Sequence, residues 1–233
     1  APATPERGIQ VLDEAAVEAA AKYYDGAKIN GKCKFVPASG AASRMFKDII
    51  DLANDYDAAE DKKPFEKTIK SIQNIEKFAF YKELEQLIKK DGLDLNELLV
   101  NKNYSKIASY ILNTNGLGYQ SKPKAMLLFH KYAEEARTAF EEHLVEGAKY
   151  AKMLDGSVHL HFTISPEHRH LFEGKMKEVI AKYEERFGVR YDIQFSEQMS
   201  KTDMAALDKK GKIIRNADGS IRFRPGGHGA LIE

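Results

Sequence analysis

The pattern that most constrains the fold is an alternation of strand-like and helix-like segments in the second half of the chain. Residues 157–165 (SVHLHFTIS) alternate apolar and polar side chains, which is typical of a half-buried β-strand. Residues 167–187 carry apolar side chains at helical spacing, and residues 189–198 (VRYDIQFSEQ) have the composition of a second strand. Two strands joined through a helix pair in parallel within one sheet. The chain is therefore predicted to have an α/β fold, with a parallel sheet covered by helices.

The first half of the chain adds one strand and many helical segments. Residues 13–24 predict a helix with Asp13 as its N-cap, and residues 33–38 predict a short strand that ends at Pro37 or lies at a sheet edge. In residues 65–113 the apolar side chains recur at helical spacing, which indicates a helical insertion. The predicted division is an N-terminal helical segment at 1–30, an α/β core at 31–48 and 113–233, and a helical insertion at 49–112.

Three local predictions complete this outline. A helix is expected to start near Ala42, and another is expected over residues 130–154 (HKYAEEARTAFEEHLVEGAKYAKML). The pair Asp218-Gly219 lies between two short β-like runs, which favours a hairpin there.

The composition excludes several classes of protein. The 233 residues include 36 Lys and Arg against 35 Asp and Glu, so a general nucleic-acid or membrane-surface binder is not expected. No run approaches 18 apolar residues, and the N-terminus lacks a basic segment followed by an apolar one, so neither a transmembrane helix nor a signal peptide is expected. The single cysteine, Cys33, cannot form a disulfide within the chain, and we expect it to be a buried small side chain. These features together predict a cytoplasmic protein.

The first candidate binding element is the stretch FVPASGAASRMFKD, residues 35–48. Six small residues, Ala38 to Ser43, join a predicted strand to a predicted helix, and Arg44 follows at once. Small side chains at this position allow either close packing of the helix on the strand or the approach of a ligand to the backbone, and the loop alone does not decide between them. The loop is neither a P-loop nor a dinucleotide-binding fingerprint, because it lacks Gly-Lys-Ser/Thr and has only one glycine.

Two other loops and a group of histidines are also candidates. Lys122-Pro123-Lys124 places two ammonium groups beside a rigid turn, which suits phosphate binding or an ordinary solvated turn. The segment RPGGHG, Arg224 to Gly229, surrounds His228 with residues that carry little or no side chain, and this favours a functional histidine. The histidines are His159, His161, His168 and His170. His159 and His161 share one strand face and are a possible metal pair, although solvent-facing histidines are the default interpretation.

In order and wording these loops resemble those of the sugar-nucleotide pyrophosphorylases. Ala38 to Met45 is similar to their G-G-x-G-T-R-M loop, and Lys122-Pro123-Lys124-Ala125 is similar to their P-K loop. HLHFTISPEH, FSEQ (195–198) and RPGGHG resemble the strand and turn, the F-x-Q and the P-P-G-H-G-D of the UDP-sugar pyrophosphorylase branch. The loops are closest in wording to an uncharacterised bacterial domain-of-unknown-function family related to these enzymes. The resemblance runs from about residue 33 to the end of the chain.

The resemblance implies a nucleotidyltransferase-like fold, which is a GT-A-like and Rossmann-like three-layer half-sheet. It also implies transfer of a nucleotidyl group from a UTP-like nucleoside triphosphate to a sugar 1-phosphate, with Mg²⁺ bridging phosphate oxygens. The implied binding residues are Ser39, Gly40, Ala41 and Ser43 in the small-residue loop, and Gln198 and Gly227 at the base edge. The implied catalytic residues are Arg44 at the pyrophosphate, Lys124 at the α-phosphate and His228 at a phosphate.

The chain also departs from the pattern that it resembles. Ser39 and Ala42 stand where the related loops have glycines, and Ala230 replaces the aspartate after G-H-G. The resembled enzymes have further strands after this point that carry a Mg²⁺-binding aspartate. We therefore expect a fold that is incomplete at its C-terminal end, with no Mg²⁺ ligand identified in this chain. A catalytically inactive structural or protein-interaction module is the alternative interpretation.

Overall fold

The computed structural model describes residues 3–27, 29, 31–42, 45–224 and 226. The helices are α1 Glu14–Gly26, α2 Lys47–Asp55, α3 Glu66–Gln73, α4 Tyr81–Lys90, α5 Leu95–Val100, α6 Tyr104–Leu112, α7 Ala139–Tyr150 and α8 Arg169–Phe187. The strands are β1 Cys33–Pro37, β2 Leu128–Lys131, β3 Ala136–Thr138, β4 Ser157–Ile164, β5 Arg190–Glu197, β6 Met204–Ala205 and β7 Phe223–Arg224. The chain divides into two compact units, Ala1–Lys32 and Cys33–Glu233.

The N-terminal unit contains the helix α1. The Asp13 carboxylate accepts a hydrogen bond from the amide of Ala16 at 2.8 Å, so Asp13 caps the helix as the sequence predicts. No residue of α1 is buried.

The larger unit is built on a parallel three-stranded sheet with the order β1-β4-β5. Cys33 pairs with His159 at one end of β1 and Pro37 pairs with Thr163 at the other. The helix α8 connects β4 to β5, and these two strands pair in parallel from Ser157 opposite Arg190 onwards. The predicted strand–helix–strand unit is confirmed, and β1 is an edge strand that ends at Pro37, as expected for a strand containing proline.

The main core of the sheet lies between the helices α7 and α8 and the sheet face that carries Val36, Leu160 and Tyr191. Phe140 of α7, Phe162 of β4 and Phe172 of α8 are fully buried, and the ring centroids of Phe140 and Phe162 are 5.0 Å apart. On the opposite face, Phe35 remains 50% exposed and stacks on His161 at 5.1 Å. Within the described part of the larger unit, α7 and α8 therefore cover one face of the sheet, giving two layers where the resemblance implies three.

A second hydrophobic core gathers the helices α2 to α6. Its fully buried members include Leu52 of α2, Leu84 and Ile88 of α4, and Ile107 of α6. The apolar positions recur at helical spacing on several short helices, which confirms the helical character that the sequence predicts for residues 65–113. The helix α2 begins at Lys47 rather than near Ala42, because the chain first forms a turn in which the Met45 amide donates to the Ala42 carbonyl at 2.8 Å.

The helix predicted over residues 130–154 is wrong in its first part. The strands β2 and β3 form an antiparallel hairpin, with Leu128 opposite Thr138 and His130 opposite Arg137. The helix α7 starts only at Ala139, because Thr138 and Glu141 form a capping box in which each side chain accepts from the other residue's amide.

The C-terminal residues form short antiparallel pairs. β6 pairs with β7, and Arg215 bridges Ile221 around a turn in which Gly219 has a φ of +82°. The Asp218 carboxylate accepts from the Ser220 amide at 2.9 Å, so the hairpin predicted at Asp218-Gly219 is confirmed.

Two observations bear on the expectations drawn from composition. No helix in the described part of the chain has the length and apolar character needed to cross a membrane. Cys33 is exposed on the open face at the start of the edge strand, so the prediction that it is buried is wrong.

Candidate functional site

The candidate site lies where the three parallel strands end. Residues 38–42 follow β1, residues 165–168 follow β4 and residue 198 follows β5, and residues 121–124 and 226 contact these segments. We call these five segments together the strand-end loops. In open α/β sheets, ligands bind at the carboxyl ends of the strands. The strands are about 5 Å apart, so the loops after β1 and β5 face each other across about 10 Å.

The loop after β1 divides into a packed part and an open part. Ala38 and Ala42 are buried, and Ala42 has no exposed surface at all. Gly40 and Ala41 are exposed, and a Cβ built on Gly40 would meet no atom within 4 Å. The small size of Ala42 therefore serves packing, whereas no contact within the described part of the chain requires the small size of Gly40.

The Lys-Pro-Lys loop lies directly against this open part. The Lys124 amide donates to the Gly40 carbonyl at 3.1 Å, and Ala41 and Pro123 form an isolated antiparallel bridge. Pro123 is buried, whereas Lys124 is exposed. The structure thus places Lys124 next to Gly40 and Ala41.

The turn after β4 joins the same two loops through its side chains. The Ser165 hydroxyl donates to the Ser39 carbonyl at 3.0 Å. The His168 Nε2 is 3.1 Å from the Ser121 carbonyl oxygen, and it must carry the proton of this hydrogen bond because a carbonyl oxygen only accepts. The His168 Nδ1 is buried and has no hydrogen-bond partner among the residues described.

His168 was identified from the sequence only as one of several histidines, and its link to the Lys-Pro-Lys loop was missed. The signal that was available is its position, since it ends the short turn between β4 and α8. Residues at that junction lie at the carboxyl edge of the sheet, where ligands bind.

The loop after β5 is held to the C-terminal segment by Gln198. The backbone N–H of Gln198 donates to the Ile164 carbonyl at 2.9 Å, which extends the pairing of β4 and β5. Its side-chain nitrogen donates to the Gly226 carbonyl at 2.6 Å, and Gly226 is buried. Gly226 is therefore fixed to the carboxyl edge of the sheet.

The start of α8 also lies at this edge. The helix has 19 residues, and no acidic side chain occupies its first turn. Arg169 pairs with Glu197 and with Glu173. The hydrogen bond to Glu197, and after it the hydrogen bond to Glu173, raises the pKa of the Arg169 guanidinium. The amide groups of the first turn therefore present the positive end of the helix dipole at the strand ends.

Four residues of the predicted site lie outside the described residues, namely Ser43, Arg44, Gly227 and His228. Of the others, Ser39, Gly40, Ala41 and Lys124 are adjacent, and Gln198 lies at the far end of the same edge.

The described residues do not offer a ready site for Mg²⁺. No three His, Cys, Asp or Glu side chains among them are grouped so that they could hold a metal ion. Glu197, the last residue of β5, is engaged by Arg169. The possible metal pair is also engaged, because His159 contacts Asp192 at 2.9 Å and His161 contacts the Ser196 hydroxyl at 2.8 Å.

Fold and site together define an α/β protein whose loops converge at the carboxyl edge of a small parallel sheet. The chain belongs to the family described as a domain of unknown function (DUF4301), whose model matches residues 1–233. No curated protein and no solved structure matches the chain.

Proposed function

We propose that the protein binds a nucleoside triphosphate of the UTP type at the strand-end loops. The observation that carries this proposal is the set of hydrogen bonds that joins the loops. Ser165 contacts Ser39, Lys124 contacts Gly40, His168 contacts Ser121 and Gln198 contacts Gly226, so segments distant in sequence form one continuous edge.

The chemistry of this edge suits an anion that approaches the backbone. The amide groups of Ser39 and Gly40 donate no hydrogen bond to any other described residue, so both remain available to phosphate oxygens. Lys124 adds an ammonium group that no described carboxylate neutralises. The start of α8 adds a positive dipole end, and the open space above Gly40 leaves room for the ligand.

For the reaction, we propose nucleotidyl transfer to a sugar 1-phosphate in a nucleotidyltransferase-like fold. A phosphate oxygen of the sugar 1-phosphate would attack the α-phosphorus of the triphosphate, and the bond to the departing pyrophosphate would break. The residues would contribute positioning and charge stabilisation, with Lys124 at the α-phosphate and Ser39, Gly40 and Ala41 along the nucleotide. Ser43, Arg44, Gly227 and His228 would complete the site in the roles that the resemblance implies. Mg²⁺ would accompany the triphosphate, and we propose no protein ligand for it.

A specific observation favours the alternative of an inactive structural or protein-interaction module. The Gln198 side chain, which would contact the base edge, donates to Gly226 instead. Together with the lack of grouped carboxylates among the described residues, this contact is what a retained fold with a disused site would show.

Titration calorimetry with UTP tests the binding proposal. We expect the protein to bind UTP with a dissociation constant below about 1 mM. Gly40→Val should weaken binding at least about tenfold, because its side chain enters the space left for the ligand, where a Cβ meets no described atom within 4 Å. Gly31→Val is the matched control, since a Cβ there also meets no atom within 4 Å.

A second pair of variants tests the charge. Lys124→Ala should weaken UTP binding about fivefold or more, whereas Lys106→Ala, on the exposed surface of α6, should leave it unchanged. The binding proposal fails if wild-type protein takes up no nucleoside triphosphate at millimolar concentration. If UTP binds but no pyrophosphate is released with any sugar 1-phosphate, the inactive module is the correct interpretation.

A further inference from the structure

A second concave site lies outside the strand-end loops, between the helical region and the β2–β3 hairpin. It is a cavity of about 440 Å³ formed by the start of α2, by α3, by residues 77–80 and by β2. This volume falls in the range of about 300–1,000 Å³ typical of small-molecule sites.

The walls of the cavity are mainly aromatic. Phe46, Phe80 and Tyr119 are buried, and both phenylalanine rings contact the Tyr119 ring, with centroid distances of 5.7 Å for Phe46 and 5.4 Å for Phe80. Phe78 and Phe129 are respectively 40% and 57% exposed. The buried rings form a fixed apolar floor, whereas the exposed ones lie where a ligand would enter.

The Tyr119 hydroxyl does not add a charge to this floor. It accepts a hydrogen bond from the Leu128 amide at 3.3 Å, and burial raises the pKa of the phenol above its usual value. The ring therefore presents a neutral surface to the cavity at any physiological pH.

The charged groups that line the cavity are mostly basic. Lys67, Lys77 and Lys131 contribute to the lining, against one carboxylate, Asp48. Lys77 donates to the Asn74 side-chain oxygen at 2.8 Å, and Lys131 donates to the Glu76 carbonyl at 2.7 Å. These acceptors are neutral, and no ion pair between the three lysines and a carboxylate is seen in the described chain, so their charge is available to a ligand.

We propose that this cavity binds an amphipathic anion, with an apolar chain or ring system against the aromatic floor and one anionic group near the lysines. One water molecule, with its single non-hydrogen atom, takes up roughly 30 Å³ in the liquid. On this scale the cavity holds a ligand of up to about 15 non-hydrogen atoms. A medium-chain carboxylate has this size and this distribution of charge. The site is separate from the proposed nucleotide site, and it stands whether or not a nucleoside triphosphate binds.

The test compares three eight-carbon ligands that differ in charge, each titrated calorimetrically below its micellar concentration. We expect octanoate to bind at one molecule per chain, and octan-1-ol and octylammonium to bind at least about fivefold and tenfold more weakly. Equal binding of octanoate and octylammonium would overturn the proposal, because the lysines would then have no part in recognition.

Two variants locate the binding. Ser71→Phe places a ring into the cavity from α3 and should reduce octanoate affinity at least about tenfold, whereas Ser200→Phe, an exposed position outside the lining, should not. Lys67→Gln and Lys131→Gln should each reduce it about two- to fivefold, and Lys106→Gln should not. Octanoate binding that survives Ser71→Phe in a protein with unchanged thermal unfolding would refute this location of the site.

Discussion

Glu135 is the carboxylate that fastens the β2–β3 hairpin to α8. It accepts hydrogen bonds from Lys182 and Arg186 of α8 and from Arg137, whose side chain is 8% exposed. The hydrogen bond from Lys182, and then those from Arg186 and Arg137, lower the pKa of Glu135 to about 2, against the opposing effect of its partial burial. One carboxylate thus contacts three cations, and the buried one, Arg137, also pairs with Glu142 at 3.5 Å.

Glu135→Gln should lower the free energy of unfolding at pH 7 by roughly 1–3 kcal/mol, because the amide keeps the shape but removes the charge that three donors share. Since the folded pKa is depressed, the contribution of Glu135 is fully present above the unfolded value of 4.5 and is lost as the pH falls towards about 2. Urea unfolding of both proteins from pH 7 to pH 2 should therefore show the difference shrinking below pH 4.5.

Glu134→Gln is the control for this prediction, because Glu134 is exposed and lies one residue away. It should change the free energy of unfolding by less than about 0.5 kcal/mol at any pH. A wild-type minus Glu135→Gln difference that is independent of pH would contradict the assigned role of the charge.

At the scale of elements, the packing of α7 on β4 depends on one glycine. Gly147 is buried, and a Cβ added there would lie 2.9 Å from a Leu160 methyl and 3.0 Å from a Val158 methyl. Both side chains are fully or almost fully buried, so neither can move away freely. Gly147 therefore sets how closely α7 approaches the sheet.

Gly147→Ala should destabilise the protein by about 1–3 kcal/mol, because overpacking outweighs the better helix propensity of alanine. Gly174→Ala in α8 should do the reverse and stabilise it by about 0.5–1 kcal/mol, since a Cβ there meets no atom within 4 Å. Thermal unfolding of both variants measures the two changes in stability. If both alanine substitutions changed the stability by the same amount and in the same direction, α7 would not pack on the sheet as described.

The elements that sequence predicts well are those with local signals. The alternation in β4 and the helical stripe of α8 sufficed to predict a parallel strand–helix–strand unit. The β2–β3 hairpin was missed because its charged and alanine-rich residues suit a helix, whereas Thr138 and Glu141 already indicated where α7 begins. A capping box is a more precise boundary signal than helix propensity.

The site was predictable only in part, for a related reason. That Gly40 lies at a strand end follows from the order of strand, loop and helix. The contacts of Gln198 with Gly226 and of His168 with Ser121 depend on how separate loops meet in space. The resemblance implied a second layer of helices on the open face, and the described residues form none there. Whether helices pack on a sheet face depends on contacts between distant segments, which no local sequence pattern indicates.

At the scale of the molecule, both hydrophobic cores belong to the unit that starts at Cys33. One joins the sheet to α7 and α8, and the other joins α2 to α6. The N-terminal unit contributes no buried residue from α1. Because the hydrophobic contribution to stability scales with buried apolar area, α1 adds little to it.

A chain that starts at Cys33 should therefore fold and should unfold within about 4 °C of the full-length protein in a calorimetric scan, since about 1 kcal/mol corresponds to about 2–4 °C for a domain of this size. The control is Leu84→Ala, which removes a fully buried side chain and should cost about 2–5 kcal/mol. Loss of cooperative unfolding in the shortened chain would show that the N-terminal unit is required for the fold.

The two edge strands of the sheet, β1 and β5, differ in how well they could pair with a strand of another copy of the protein at high concentration. β1 offers five residues and ends in a proline that has no amide hydrogen, so an added strand would gain few hydrogen bonds there. β5 offers eight residues, but it carries Arg190, Asp192 and Glu197 along its length. An incoming strand would have to match these charges, and the sheet therefore resists growth into aggregates at both edges.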